Sequence, residues 1–129
     1  MELLQFASLA AIPGLHHAIT TREGGVSQGE FSYLNLGFHV GDELEKVRQN
    51  RRILAREMGF EPQNLAAAQQ VHGNNIHVVG ARHDGRGARD CESAIPATDA
   101  LITREKNLPL LVLVADCAPI LLVAPKNRF

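Results

Sequence analysis

A chain of 129 residues with 45% hydrophobic and 21% charged side chains is one domain's worth of ordinary globular protein, which excludes a disordered segment. Its net charge of -1 lacks the basic footprint that nucleic acid or an anionic membrane surface demands, so small-molecule partners are expected. Two cysteines, Cys91 and Cys117, with no signal-peptide pattern and no apolar run near membrane-span length, point to reduced thiols in a cytoplasmic protein.

In chain order, residues 1–12 are mostly apolar without clear period, and Pro13-Gly14 is a turn. Residues 15–21 read as a strand that ends in Arg22-Glu23-Gly24-Gly25-Val26-Ser27. Paired glycines let the backbone approach something closely, and Arg22 offers a planar fork of donors suited to phosphate or carboxylate; a plain hairpin turn is the other reading. No helix pattern follows at once, so neither a dinucleotide fingerprint nor a Walker loop is present. Tyr33 to Gly37 and His39 to Asp42 form a polar, glycine-punctuated segment of short strand pieces or ordered loop. Residues 43–58 predict a helix, with Asp42 as N-cap, Glu43 and Glu45 in the first turn, and Gly59 just past the end. Leu44, Val47, Leu54 and Met58 supply its apolar stripe. Arg48, Arg52 and Arg56 form a like-charge row at i, i+4 and i+8, either a solvated face or one facing an acidic neighbour or a phosphate.

After the Glu61-Pro62 turn, residues 66–72 and 75–79 read as strands on either side of a His-Gly turn, which places His72 at a sheet edge. A His there is either a hydrogen-bonded bystander or a ligand projecting into a cleft. Residues 81–97 are charged and aperiodic, a surface loop carrying Cys91. A short strand follows at 99–103. Residues 110–115 and 119–124 are apolar runs that read as strands buried on both faces, with Asp116 and Cys117 between them. Cys117 is then a thiolate ligand or nucleophile, or one more small buried hydrophobe, and Asp116 a functional carboxylate or a turn former. The elements give a mixed α/β (α+β) fold in a single domain spanning 1–129, with one or more sheets and the 43–58 helix packed on them. A buried strand ending near Pro125 lacks a sequential partner. The chain is therefore expected to be incomplete or to self-associate through its C-terminal strand.

Taken together, the blocks TREGGVS at 21–27, LNLG at 34–37, HVGD at 39–42, Val47 with Asn50-Arg51, QVHG at 70–73, DALIT at 99–103 and ADC at 115–117 with Pro119 resemble the laccase-domain family. That family is also called multicopper polyphenol oxidase-like or purine nucleoside phosphorylase-like, and includes the bacterial peptidoglycan-editing factor. The resemblance implies that His72 and Cys117 are two of three ligands to a zinc or copper ion, that Asp116 orients a bound water or donor, and that Arg22 and Asn35 lie near the substrate. Imidazole and thiolate are the ligand types a borderline-soft metal prefers. The family's third ligand is a His in a His-Ala-Gly-Trp-Arg-Gly block; this sequence has no Trp and no such block, so an open metal site and low activity are expected.

The implied function is a metal-dependent purine nucleoside enzyme with nucleoside and phosphate as partners. Its reactions would be phosphorolysis of adenosine, inosine and methylthioadenosine, and deamination of adenosine by a metal-activated water. Two other readings remain open: an amide hydrolase acting on a cell-wall precursor, with Cys117 as nucleophile and His72 as base, and a non-catalytic binding module. Phenol oxidation by several copper ions would need more His and Cys than the chain supplies.

Overall fold

The computed structural model describes residues 1–126 and divides into two compact units, Met1–Met58 and Gly59–Phe129. The fold is mixed α/β, built from short strand pairs and one long helix.

In the first unit, β1 (Leu3–Leu4) pairs antiparallel with β2 (Ile19–Thr20), Leu3 opposite Thr20 and Leu4 opposite Ile19. Between them lies α1 (Ala7–Ala10), a single turn. The dominant element is α2 (Leu44–Met58), a run of strong helix formers closed by Gly59 at φ 77°. It starts one residue later than expected. The Asp42 carboxylate, expected as its N-cap, accepts from the Glu43 amide (2.8 Å), from Ser27 and from Asn35.

The buried face of α2 corrects the sequence reading. It comprises Val47, Asn50, Arg51, Leu54 and Ala55, the i, i+3, i+4, i+7, i+8 spacing of a helix against a core. Leu44 is exposed. Two of the five inward positions are polar, so counting apolar residues alone displaced the stripe. The arginine row is solvated and self-compensating: Glu45 pairs with Arg52 at 2.8 Å and Arg48 at 3.6 Å. Exposed pairs of this kind add little to stability because solvent screens them.

In the second unit, β3 (Ala66–Ala67) pairs in parallel with β6 (Leu110–Leu111), and β4 (Ile76–Val79) pairs in parallel with β5 (Ala100–Thr103). An isolated parallel bridge joins Ala68 to Ile95. Ala66, Val79 and Ile95 form the core, with Ala68, Leu101, Leu108 and Leu110 packed against it.

Several expectations are overturned. The strands at 15–21, 66–72 and 110–115 shrink to two-residue pieces; the number of sheets, open in the sequence, resolves to three strand pairs among the described residues. No strand forms at 119–124 among the described residues. Ile120 and Leu122 are 80% and 87% exposed, not buried on both faces. An apolar run becomes a doubly buried strand only where neighbours flank it, and past Leu111 this run has no strand partner among the described residues. The segment 81–97 is more than a surface loop: it opens with a 3-10 turn (Ala81–His83) and buries His83, Ala88, Ala94 and Ile95. Its inward residues are too sparse to show a period.

Candidate functional site

The first unit carries Arg22 and Asn35. Gly25 needs to be glycine because a Cβ there would sit 2.1 Å from the Tyr33 carbonyl oxygen, so the close approach these glycines permit is to the chain itself. Around that contact the Ser27 amide donates to the Tyr33 carbonyl (2.9 Å), and the Tyr33 and Leu34 amides donate to the Arg22 carbonyl (3.1 and 2.8 Å). The Arg22 guanidinium donates to the Ser32 carbonyl through Nε (2.8 Å) and Nη2.

Asn50, with no exposed surface, ties the loops together. Its Oδ1 accepts from the Val26 amide (2.8 Å), and its Nδ2 donates to Ser27 Oγ (2.9 Å) and to the carbonyls of Tyr33 (3.2 Å) and Asn35 (2.8 Å). The Asn35 side chain is engaged with Gly37 and with Asp42 Oδ2. Burial pushes the Asp42 carboxyl up, but hydrogen bonds from Asn35, Ser27 and the Glu43 amide, with the charge of Lys46, outweigh it and hold the group below its ordinary range. Arg51 donates twice to the Leu36 carbonyl (2.9 and 2.7 Å) and lies over the Phe38 ring at 4.3 Å. Val47 with Asn50-Arg51 is thus the inward face of α2, with its polar members acting as scaffold.

The second unit carries His72, Asp116 and Cys117. Because β3 and β6 run in parallel, the segments that continue from them leave the pair at the same end. The Gln70 side chain extends the pairing as a surrogate rung: its amide donates to the Leu113 carbonyl (2.9 Å) and its oxygen accepts from the Leu113 amide (2.8 Å). His72 follows two residues beyond this staple, Asp116 and Cys117 three and four residues beyond its other side. All three are exposed, with Asp116 and Cys117 on a bend. Ends of parallel strands collect ligand sites because adjacent chains diverge there.

His72 itself has a left-handed backbone, φ 57°, which costs a non-glycine residue about 1–2 kcal/mol. The Asp99 carboxylate spans it, Oδ1 accepting from the Val71 amide (2.9 Å) and Oδ2 from the Gly73 amide (3.0 Å). Two such bonds to one carboxylate, although open to solvent, act against that cost. Sequence reasoning read Asp99 only as the start of a strand. Its signal was a carboxylate placed just before β5, where a packing residue would be apolar.

A second imidazole pair lies apart from these residues. His77 and His83 approach edge to face, with 3.0 Å between their Nε2 atoms and 4.7 Å between ring centroids. His83 Nδ1 accepts from the Gly80 amide (2.9 Å), so the neutral ring carries its proton on Nε2 and donates it to His77. That tautomer leaves Nε2 of His83 no lone pair for a metal, and the pair is a hydrogen bond rather than an ion site. Burial first, then the charges of His77, Arg82 and Arg86, hold His83 below the usual histidine range. A depressed folded-state value means that the unfolded chain takes up the proton first. The stability His83 contributes is therefore complete above about pH 6.5 and is lost as pH falls from there through the lowered value. The denaturant midpoint is expected to drop between pH 7.5 and 5.5, and His83→Gln to flatten most of that drop; an equally steep variant would reject this assignment.

As to a metal, the imidazole of His72 and the thiolate of Cys117 fit zinc or copper in kind. They do not complete a site: among the described residues no group of three or more His, Cys, Asp or Glu side chains is placed to hold an ion. Both cysteines are free thiols, and no helix among these residues is long and apolar enough to cross a membrane.

A family model described as multi-copper polyphenol oxidoreductase laccase matches residues 16–129. The purine nucleoside phosphorylase YlmD of Geobacillus stearothermophilus is 43% identical over 107 residues, covering 83% of this chain and 39% of the relative. A purine nucleoside phosphorylase of Corynebacterium glutamicum is 45% identical over 104 residues, covering 80% of the chain and 39% of the relative. The crystal structure of the Bacillus licheniformis hypothetical protein YfiH superposes with a TM-score of 0.76 at 36% identity, over 78% of this chain and 38% of that one. The chain thus spans well under half the length of these relatives.

Proposed function

We propose, from the premise that the chain belongs to the multi-copper polyphenol oxidoreductase laccase family, that it serves in the phosphorolysis of purine nucleosides. Matched relatives bear the name purine nucleoside phosphorylase. The substrates in this reading are adenosine, inosine and methylthioadenosine with inorganic phosphate, and hydrolytic deamination of adenosine is a second reaction at the same site. The setting is the reducing cytoplasm, consistent with two unpaired thiols.

The observation that carries the reading is the parallel β3–β6 pair with its Gln70–Leu113 staple, which sends the segments bearing His72 and Cys117 out of one end of a rigid element. In this proposal His72 and Cys117 are two ligands to a zinc or copper ion whose coordination other groups complete. When bound, such an ion supplies Lewis acidity and a water of lowered pKa. The remaining roles belong to side chains. Asp116, next to Cys117, orients a bound water or donor. Within the first unit, Arg22, whose Nε and Nη2 are occupied by Ser32, offers Nη1 to a phosphate oxygen, and Asn35 shapes the loop beside it. The attacking phosphate oxygen forms the bond to the anomeric carbon as the bond to the purine nitrogen breaks, and the departing base takes the electron pair.

The test is phosphate-dependent release of adenine or hypoxanthine, followed on the chain and on a fusion that adds the remainder of the Geobacillus relative. Strong chelation, His72→Ala and Cys117→Ala should each lower release by about 100-fold or more, since they remove parts of one unit. Phosphate-independent release, or release that survives both substitutions, overturns the reading. Activity that resists chelation but not Cys117→Ala marks a thiol hydrolase instead.

A further inference from the structure

We propose that Asp99 is the positioning residue for His72: its carboxylate grips the amides on both sides of His72 and thereby fixes the direction in which the imidazole is presented. The functional side of this statement rests on the reading of His72 as a metal donor; the structural side does not.

Three observations converge on Asp99. First, the clamp is two-pointed and symmetric about one residue, with the Val71 and Gly73 amides donating to separate carboxylate oxygens at 2.9 and 3.0 Å. One bond alone would leave the peptide free to pivot; two bonds bracketing a residue set both of its flanking peptide planes. Second, the bracketed residue is the one that needs holding. His72 is an exposed, non-glycine residue at φ 57°, a region that only a few per cent of non-glycine residues occupy. Third, the clamp is itself anchored. The Asp99 amide donates to the Asn75 carbonyl (3.0 Å), the Thr98 amide to the Gln69 carbonyl (3.0 Å), and the Asn75 side chain to the Ala97 carbonyl (2.8 Å). The carboxylate therefore reaches His72 from a backbone locked to both flanks of the same loop. Gly73 leaves it room: a Cβ there would lie 3.3 Å from Asp99 Oδ2.

A residue that merely stabilised the loop would leave the properties of His72 intact in the molecules that remain folded, whereas a positioning residue would not. The experiment uses the whole chain and its Asp99→Ala and Asp99→Asn variants under conditions where urea curves show each to be folded. Asp99→Asn keeps one acceptor oxygen but turns the other position into a donor facing an amide, so it serves as a graded variant and as the usable one if Asp99→Ala fails to fold. Backbone chemical shifts of His72 report its left-handed conformation. Titration with Co2+, read through the Cys117 thiolate-to-metal band with His72→Ala as the control for imidazole dependence, reports ring presentation. In Asp99→Ala the His72 shifts should leave left-handed values and Co2+ affinity should fall by about 10- to 100-fold, the usual consequence of removing a group that orients a ligand, with Asp99→Asn intermediate. Left-handed shifts retained in Asp99→Ala overturn the proposal, and so does Co2+ affinity unchanged within twofold. If the unsubstituted chain gives no band that depends on His72 and Cys117, the metal reading fails by itself, and the shifts alone decide whether Asp99 holds His72.

Discussion

Replacing Asn50 by leucine is expected to destabilise the chain by about 4 kcal/mol, a large fraction of the stability of a domain this size. Leucine keeps the branched shape of asparagine but is bulkier, so overpacking adds to a loss that is chiefly chemical. Removal of Oδ1 strands the Val26 amide, and removal of Nδ2 strands the carbonyl of Asn35 and takes one donor from that of Tyr33. These groups lie around a side chain with no exposed surface, where water does not replace the lost partners and each unsatisfied group costs about 1–3 kcal/mol. Asn50→Asp should be nearly as damaging, because it keeps the acceptor for Val26 but turns the donor into an oxygen facing two carbonyls. Urea unfolding measures both. A loss below about 1 kcal/mol for Asn50→Leu would mean that the loops hold themselves without it.

Gly25→Ala is expected to cost a comparable amount, about 3 kcal/mol or more, through overpacking. The added Cβ would lie 2.1 Å from the Tyr33 carbonyl oxygen, 2.4 Å from Leu34 Cα and 2.5 Å from the Tyr33 carbonyl carbon. All three are backbone atoms, so no rotamer change relieves the overlap and the two loop strands must part. Parting them breaks the Ser27 amide bond to Tyr33 (2.9 Å) and pulls the same carbonyl from Asn50. Because both substitutions attack one carbonyl, their costs should not add. The double variant is expected to lose clearly less than the sum of the singles, and strict additivity in urea unfolding would show that the two contacts are independent.

How far the sequence discloses this molecule depends on whether a feature is encoded locally. Helix α2 was legible almost to the residue, since its propensity, acidic first turn and terminal glycine all lie within or beside it. Its inward face was not, because Asn50 and Arg51 are inward for their hydrogen bonds and carry no apolar signal. The β4 and β5 segments were found, with alternation and turn residues marking them, but 110–124 was read as two buried strands when only Leu110–Leu111 pairs. Burial depends on neighbours, and no property of Ile120 or Leu122 records whether they exist. In the candidate site, Asp116 and Cys117 stood out as residue types misplaced between apolar runs, and His72 through the family resemblance of its QVHG block. Asp99 and Gln70 did not, since a carboxylate clamp on distant amides and a side chain acting as a strand rung are visible only in three dimensions.

The Gln70–Leu113 staple joins residues 43 positions apart, and β4 meets β5 across a separation of 24. Neither contact can begin from a hairpin. On a ribosome adding roughly 5–20 residues per second, Gln70 therefore waits about 2–9 s for Leu113 to be made. Within that interval, for the roughly 1–5 s between the making of Ile76 and of Ala100, Ile76 and Val78, still exposed in the finished fold, stand on an edge whose β5 partner is not yet made. This is the stage at which the polypeptide is most open to capture by a chaperone or by another copy of itself.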